Sequence, residues 1–389
     1  MNKALSFFVL TLVKITLPFI GISVLISLLF FFRNYNILKI SYNIKHMRFA
    51  NEKETKKFNE LLTKNDNNGS IFQSYDYLQV KKDSNWQIKH LISDNDIYFT
   101  VLERYIFGLG NLWYALKGPG TANPSKLNNL LDELKDFAKK QHVFLFKCDP
   151  EIPLKEKAKL SKELIKTTDI QTNIHTVLVD LNKSESTILK DLPQKGRYAI
   201  NRAKKDGVKV VAVDANTKNC EIMFNLLNET ANGAGFSLKP KSYYFSYWKR
   251  LSHLKMGQLF FAKFENKVVA SAFVMILGKK ATYKDGASNR KKETYGASYL
   301  LQWEAMLWAK EKGALSYDLC GSPASWEIKN QEHPYYRIGK FKTQFNKEVT
   351  DYVGTYDFPI NKIKYFIWSR FFEKLVKRLY FMVKHMSFY

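Results

Sequence analysis

The stretch from Gln258 to Cys320 decides the fold. It reads QLFFAKF (258–264), KVVASAFVMIL (267–277) and KATYKD (280–285), followed by Tyr295–Lys312 and Leu315–Cys320. The three apolar, β-branched and aromatic runs are divided by Glu265-Asn266 and by Gly278, which predicts an antiparallel meander. Leu300, Trp303, Leu307 and Trp308 then fall on one face of a helix stopped by Gly313. Leu315–Cys320 is a further strand. Meander, helix and strand in that order predict a mixed α/β unit.

Reading upstream, this unit begins near Asn173. Thr176–Leu181 is a strand, Ser184–Asp206 a strongly basic helical region stopped by Gly207, Val208–Val213 a strand, and Asn216–Asn232 a helix. Before it lies a second α/β unit. Glu52–Thr63 and Ile71–Lys82 read as helices around the loop Asn65–Ser70. Strands follow at Ile97–Ile106 and Leu112–Leu116, then the turn Lys117-Gly118-Pro119-Gly120. The helix Lys126–Lys140 and the strand His142–Asp149 complete the unit. The two units have related layouts, yet no sequence repeat links them.

The chain of 389 residues exceeds what one core fills, so two domains are expected. Hydrophobic residues make up 46% and charged residues 25%, which excludes wholesale disorder. With 61 basic and 36 acidic residues the net charge is +25, which points to an anionic partner: nucleic acid, a phosphorylated molecule or an acidic membrane. Three well-separated cysteines (Cys148, Cys220, Cys320) form no disulfide framework and are too few for a structural zinc site. The seven histidines show no HxxxH spacing, so no metal is expected. There is no phosphate loop of the GxxxxGK[ST] type, no strand-linked GxGxxG and no GxSxG elbow. Without covalent, metal or cofactor equipment, the remaining chemistry is direct transfer between two bound substrates.

Both ends carry membrane signals. Residues 4–32 (ALSFFVLTLVKITLPFIGISVLISLLFFF) contain Lys14 as their sole charge, which predicts a transmembrane anchor. Basic residues cluster from Arg33 to Lys57, and only Lys3 precedes the segment. The expectation is a single-pass protein of the cell (inner) membrane with its long C-terminal part in the cytoplasm. Residues 362–385 place Ile367, Phe371, Leu375, Leu379 and Met382 at helical spacing among lysines and arginines. Two readings fit: a helix lying in an anionic membrane surface, or one docked on the body with a solvated basic face.

Further stretches, in order, resemble the Fem family of peptidyltransferases (FemX and FemABX-like proteins). They are Gln73-Ser74-Tyr75-Asp76-Tyr77 with Lys81 and Trp86, Lys117-Gly118-Pro119, and Phe146–Glu151. Lys195–Val208, Tyr299–Ala305, Trp308–Gly313 and Tyr336–Phe345 leading to Tyr352–Asp357 follow. The resemblance spans roughly residues 54–360. It implies two GNAT-like acyltransferase domains, the first at 46–170 completed by about 346–361, the second at 171–345. An anchor and linker at 1–45 and a basic amphipathic helix at 362–389 would flank them. The implied activity moves an amino acid (Gly, Ala or Ser) from aminoacyl-tRNA to the stem-peptide amine of a lipid-linked or UDP-linked muramyl-peptide precursor, building the interpeptide bridge. No cofactor is implied.

The resemblance also implies site residues. Lys81 matches a lysine that binds the precursor diphosphate, and Trp86 a substrate contact. Ser237, Lys239 and Tyr243 match a Thr-x-Arg-Pro…Tyr stretch, with Lys239 in place of a phosphate-gripping arginine. A lysine there keeps the charge and loses the bidentate fork. Asp149 matches an aspartate of the substrate cleft. Phe341 and Lys342 match a pair whose lysine faces the transition state. Asp285 stands where a relative has a substrate-contacting tyrosine, with Tyr283 nearby as a substitute. Lys195, Arg197, Arg202, Lys204 and Lys205 suit tRNA phosphates; a solvated helix face is the alternative. Two other function classes stay open: a membrane-bound nucleic-acid-binding protein without catalysis, and an N-acyltransferase using acyl-CoA. Against the latter, Asn289–Ser298 keeps one glycine, Gly296, where an acyl-CoA loop needs a run of them.

Overall fold

The computed structural model describes residues 47–234, 238–289, 294–384 and 386–389. The strands in chain order are β1 (Arg48–Phe49), β2 (Gln87–Ile92), β3 (Tyr98–Ile106), β4 (Gly110–Ala115), β5 (Val143–Cys148), β6 (Ile165–Lys166), β7 (His175–Thr176) and β8 (Leu178–Asp180). They continue with β9 (Lys209–Val213), β10 (Gly257–Phe264), β11 (Lys267–Leu277), β12 (Lys280–Ser288), β13 (Ser316–Asp318), β14 (Thr350–Asp351) and β15 (Tyr356–Pro359).

All but β7 and β14, which pair with each other, form two large sheets of the same design. One runs β1-β2-β3-β4-β5-β15-β6, the other β9-β10-β11-β12-β13-β8. In each, an antiparallel meander is followed by a helix and by a strand parallel to the meander's last strand: β4 with β5, β12 with β13. The connecting helices are Pro124–Lys140 and Ala297–Glu311. An antiparallel strand then covers the outer edge. β15, arriving from far downstream, pairs with β5, and β8 pairs with β13. The fold is therefore mixed α/β.

The apolar runs follow from this layering. β11 is covered on both faces: Phe273, Met275 and Leu277 join the core between the sheets, while Ala272, Val274 and Ile276 join the core under Ala297–Glu311. A strand buried on both faces has no polar face to display. The core between the sheets takes Phe58, Leu78 and Leu112 from the first half, and Tyr247, Trp248 and Phe273 from the second. A third core packs Pro124–Lys140 onto the outer face of the first sheet.

Several expected helices are shorter than read. Glu52–Thr63 divides at Lys57 into Glu52–Lys56 and Phe58–Leu62. Ile71–Lys82 breaks at Ser74, whose extended backbone and hydroxyl cap Tyr75–Leu78 between two 3-10 segments, Ile71–Gln73 and Gln79–Ser84. Ser184–Asp206 is two helices, Glu185–Asp191 and Gln194–Lys205, parted at Leu192-Pro193, because the residue before proline is driven out of helical conformation. Gly196 lets the second of these lie against the chain at Gln344, whose carbonyl oxygen would stand 2.1 Å from an added Cβ.

The membrane expectation is corrected. Among the described residues no helix is long and apolar enough to cross a membrane, and residues 4–32, on which the single-pass placement rested, lie outside the described residues.

Candidate active site

Two groups of buried and half-buried cations meet around Cys320. The first centres on Lys342, near the C-terminal end of the helix Tyr336–Lys342. Past β13 the chain turns through Cys320 (φ 52°) and Gly321 (φ 98°), both left-handed. Asp318 secures the turn by accepting from the Cys320 amide at 2.7 Å and from the Thr176 hydroxyl. The turn directs two carbonyls at the Lys342 ammonium, Cys320 O and Gly321 O, each at 2.7 Å. An ammonium has three protons; among the described residues the third has no acceptor. Lys342 is 7% exposed. Burial lowers its pKa to about 8, opposed by the nearby Cys320 and Asp318.

Tyr283 lies beside this group, with the Lys342 ammonium 5.7 Å from its ring centroid. Phe341 points elsewhere. Its ring packs on Tyr299 and Phe345 at 4.9 and 5.4 Å, so it fixes the helix to the core while Lys342 faces the turn.

The second group gathers Lys81, Lys239, Lys284, Tyr243 and Asp285. Lys81 sits in the turn Gln79–Ser84 and is 8% exposed, and its ammonium has no hydrogen bond or ion pair among the described residues. Burial lowers its pKa to about 8, and Lys239, Arg104 and Lys284 add repulsion while Tyr243 works against them. Tyr243 lies in the helix Lys241–His253, which the sequence reading left unassigned; Pro240 precedes it as its N-cap residue. The Lys239 ammonium stands 4.2 Å from the Tyr243 ring centroid and that of Lys284 5.8 Å. The Tyr243 hydroxyl is 3.5 Å from that of Tyr77. Burial raises the Tyr243 phenol, but Lys284, Lys239 and Lys81 outweigh it and bring it down to about 8. Asp285 accepts from the Trp248 indole and from Lys284, both at 3.0 Å. Burial pushes its carboxyl up to about 8.

A β-bulge explains why Tyr283 and Asp285 serve different groups. Residues two apart on a strand share a face. Here Val274 pairs with Tyr283 and Phe273 with Asp285, which leaves Lys284 as an extra residue. Tyr283 consequently joins the core under Ala297–Glu311, while Asp285 reaches Trp248 in the core between the sheets.

Asp149 belongs to a third, closed cluster. It is 1% exposed. Its oxygens accept from the Lys117 amide at 2.9 Å and the Tyr114 hydroxyl at 3.2 Å. Burial raises its pKa to about 7 against the pull of Lys117. The aspartate matched to the family's substrate cleft thus already has partners within its own fold. The cluster reaches the site through Lys117, whose ammonium donates to Asn173 O at 3.1 Å, and the Asn173 amide touches Cys320 Sγ at 3.5 Å.

The structure places Trp86 under the chain's last residues, donating to Phe388 O at 3.2 Å, with the Arg104 guanidinium 4.2 Å from its ring centroid. Its indole is engaged in core packing and is 2% exposed. Ser237 lies outside the described residues. In the basic helix, Arg197 donates to Lys190 O and Leu192 O, Arg202 pairs with Asp206 at 2.7 Å, and Lys204 with Glu304 at 3.5 Å. Lys195 and Lys205 are exposed with no partner among the described residues.

Sequence reasoning missed Lys284, Lys117 and Tyr77. Lys284 carried a signal: the pair Lys284-Asp285 interrupts an otherwise apolar strand in the interior of a sheet, where charge is costly without a purpose. Among the described residues no group of His, Cys, Asp and Glu could hold a metal ion.

Fold and site together define a two-sheet α/β protein that concentrates buried ammonium groups where its halves meet. The chain belongs to the FemAB family, whose pattern matches residues 163–251 and 249–374. A relative named lipid II:glycine glycyltransferase, from Staphylococcus epidermidis, is 20% identical over 404 aligned residues, covering 83% of this chain and 96% of its own. The protein of that name from Staphylococcus haemolyticus is 21% identical, covering 80% and 93%. The crystal structure of FemX shares the fold with a TM-score of 0.69 at 18% identity, over 82% of this chain and 99% of that one.

Proposed function

We propose that this chain is an aminoacyl-tRNA-dependent transferase, built on two GNAT-like lobes, that adds Gly, Ala or Ser to the stem-peptide amine of a peptidoglycan precursor. The observation that carries the reading is the Lys342 ammonium, held by two backbone carbonyls with one proton unassigned among the described residues, beside a set of lysines near the Asp285 carboxyl. The acceptor amine attacks the aminoacyl ester carbonyl. Its oxygen becomes an anion, and the third Lys342 proton is placed to meet it. The C–O bond to the tRNA ribose then breaks as the amide forms. The ribose oxygen leaves with a proton, and the amine's proton travels through substrate hydroxyls or water. Lys81 and Lys239 hold the precursor's diphosphate. Asp149 keeps the Lys117 turn in place.

The partner set includes an anionic lipid surface, approached from one side. The C-terminal helix docks through Tyr365, Trp368, Val376 and Tyr380. A different face, with Phe366, Phe371, Leu375, Leu379 and Met382, is exposed. Lys374, Lys377 and Arg378 lie on the same segment, a pattern that suits acidic headgroups. Both readings of this helix thus find support, each on its own face.

The test is a transfer assay with a panel of charged tRNAs and both lipid-linked and UDP-linked precursor. Amide formation with one of Gly-, Ala- or Ser-tRNA is expected. No transfer from any charged tRNA, or transfer from acyl-CoA instead, overturns the reading.

A further inference from the structure

Lys284 is the extra residue of the bulge in β12. A bulge disturbs the sheet's hydrogen bonding and re-aims a side chain. Here the extra residue is a lysine on an interior strand, two residues past the last β12–β13 pair, Thr282 with Asp318. Its ammonium lies 3.3 Å from the Tyr247 hydroxyl and 3.0 Å from Asp285 Oδ1. It stands 5.8 Å from the ring of Tyr243, the tyrosine that Lys239 also covers.

We propose that Lys284 is a third cation of the phosphate-binding cluster and that the bulge exists to aim it at a diphosphate group. The proposal rests on the reading of Lys81 and Lys239 as the diphosphate grip. Three lysines converge from three separate elements: the turn Gln79–Ser84, the segment before Lys241–His253, and β12. Gathering like charges in a protein interior is unfavourable, so an arrangement like this marks a site completed by an anion. The tyrosine among them registers the charge, since its phenol is brought below its usual range against burial and Lys284 contributes the largest part. Asp285 is the carboxylate paired with Lys284 at the site, and burial raises it to about 8. A carboxyl raised that far is largely protonated near neutral pH and so need not repel a phosphate. A third cation also compensates for the lysine at position 239, which lacks an arginine's fork.

Inorganic pyrophosphate and inorganic phosphate, titrated into the full chain, test this. Pyrophosphate is expected to bind the parent more tightly than phosphate. Lys284→Met should weaken pyrophosphate at least tenfold and raise KM for precursor by a similar factor, and Lys284→Arg should restore most of the affinity. Lys284→Gln, which keeps hydrogen-bonding capacity towards Tyr247 and Asp285, answers the same question if the methionine variant does not fold. Unchanged pyrophosphate affinity in the Met or Gln variant, with Lys81→Ala and Lys239→Ala both weakened, overturns the role of Lys284 alone. If the parent fails to bind pyrophosphate, or neither Lys81→Ala nor Lys239→Ala changes its binding, the diphosphate reading falls and Lys284 with it.

Discussion

Lys147 and Lys81 are both buried lysines of the first half, and the fold treats them oppositely. Lys147 is 1% exposed, is hydrogen-bonded to Asp357 across the β5–β15 pair, and has Glu373 of the C-terminal helix at 3.5 Å. Lys81 is 8% exposed and has no acid at all among the described residues. A cation enclosed by carboxylates is part of the fold's own wiring. One enclosed by other cations is only half of an interaction. The contrast separates basic residues that hold this protein together from those that hold something else.

The largest effect is expected where the pairing is complete. Lys147→Met leaves Asp357 buried opposite a methyl group, and breaking a buried pair in this way costs about 3–5 kcal/mol. Denaturant unfolding should show that loss, while the folded enzyme keeps its KM for precursor. A normal unfolding midpoint with raised KM would place Lys147 among the binding lysines and end the comparison.

Lys342 stands between the two types, held by carbonyls rather than by an acid. Lys342→Met should lower kcat about 10²–10³-fold with precursor affinity nearly intact, the scale of one lost oxyanion donor. If Lys342 only supports structure, turnover and stability should fall together. Should Lys340 partly substitute, the double variant Lys340→Met/Lys342→Met will expose the remaining loss.

This division between paired and unpaired lysines could not be read from the sequence, although much of the fold could. The run Lys267–Leu277 reads as a strand of an antiparallel meander from its composition and its bounding turns alone, and its burial on both faces came with the structure. The helix after it was visible through its apolar spacing and Gly313. What stayed hidden depends on partners far along the chain. The bulge at Lys284 exists only in the pairing of β11 with β12, and periodicity within β12 would put Tyr283 and Asp285 on one face. Trp86 reads from its family likeness as a substrate contact, and its packing against Phe388 depends on a segment at the other end of the chain. Gln73, at the head of one family-like stretch, proves to be a buried clamp: it accepts from the Thr100 amide at 2.7 Å and donates to Leu116 O at 2.6 Å. Pairing of Lys147 with Asp357 likewise joins segments that only the returning strand β15 brings together.

The unpaired lysines should respond in binding. Lys81→Ala and Lys239→Ala are each expected to raise KM for precursor about tenfold, the scale of one charge-assisted hydrogen bond, with kcat little changed. Unfolding midpoints near the parent's would show that these residues belong to the ligand. A drop comparable to that of Lys147→Met would erase the distinction.

Acidity sharpens the same point. The Lys81 and Lys342 ammonium groups have pKa values near 8, lowered by burial, against an ordinary lysine near 10.5. Each is charged below its pKa and neutral above it, so the lost function lies on the alkaline side. KM for precursor should be flat to about pH 7 and rise roughly tenfold by pH 9 as Lys81 discharges, with kcat falling over the same interval as Lys342 does. Flat profiles to pH 10 would mean that neither charge is used.

The smallest effect concerns the basic helix Gln194–Lys205, where both kinds of cation stand side by side on the surface. Arg197 is engaged with the carbonyls that end the preceding helix, and Arg202 with Asp206; Lys195 and Lys205 are free of such contacts among the described residues. If tRNA phosphates meet this helix, Lys195→Ala with Lys205→Ala should weaken tRNA binding less than tenfold at low salt and lower the slope of log K against log salt by about two. Arg197→Ala should instead cost stability and leave that slope unchanged. Equal slopes for all three proteins would make the helix a solvated face whose charge serves no polyanion. A slope change from Arg197→Ala as large as that from the lysine pair would mean that the guanidinium leaves its carbonyls to meet tRNA, and that pairing in the free protein does not mark a structural cation.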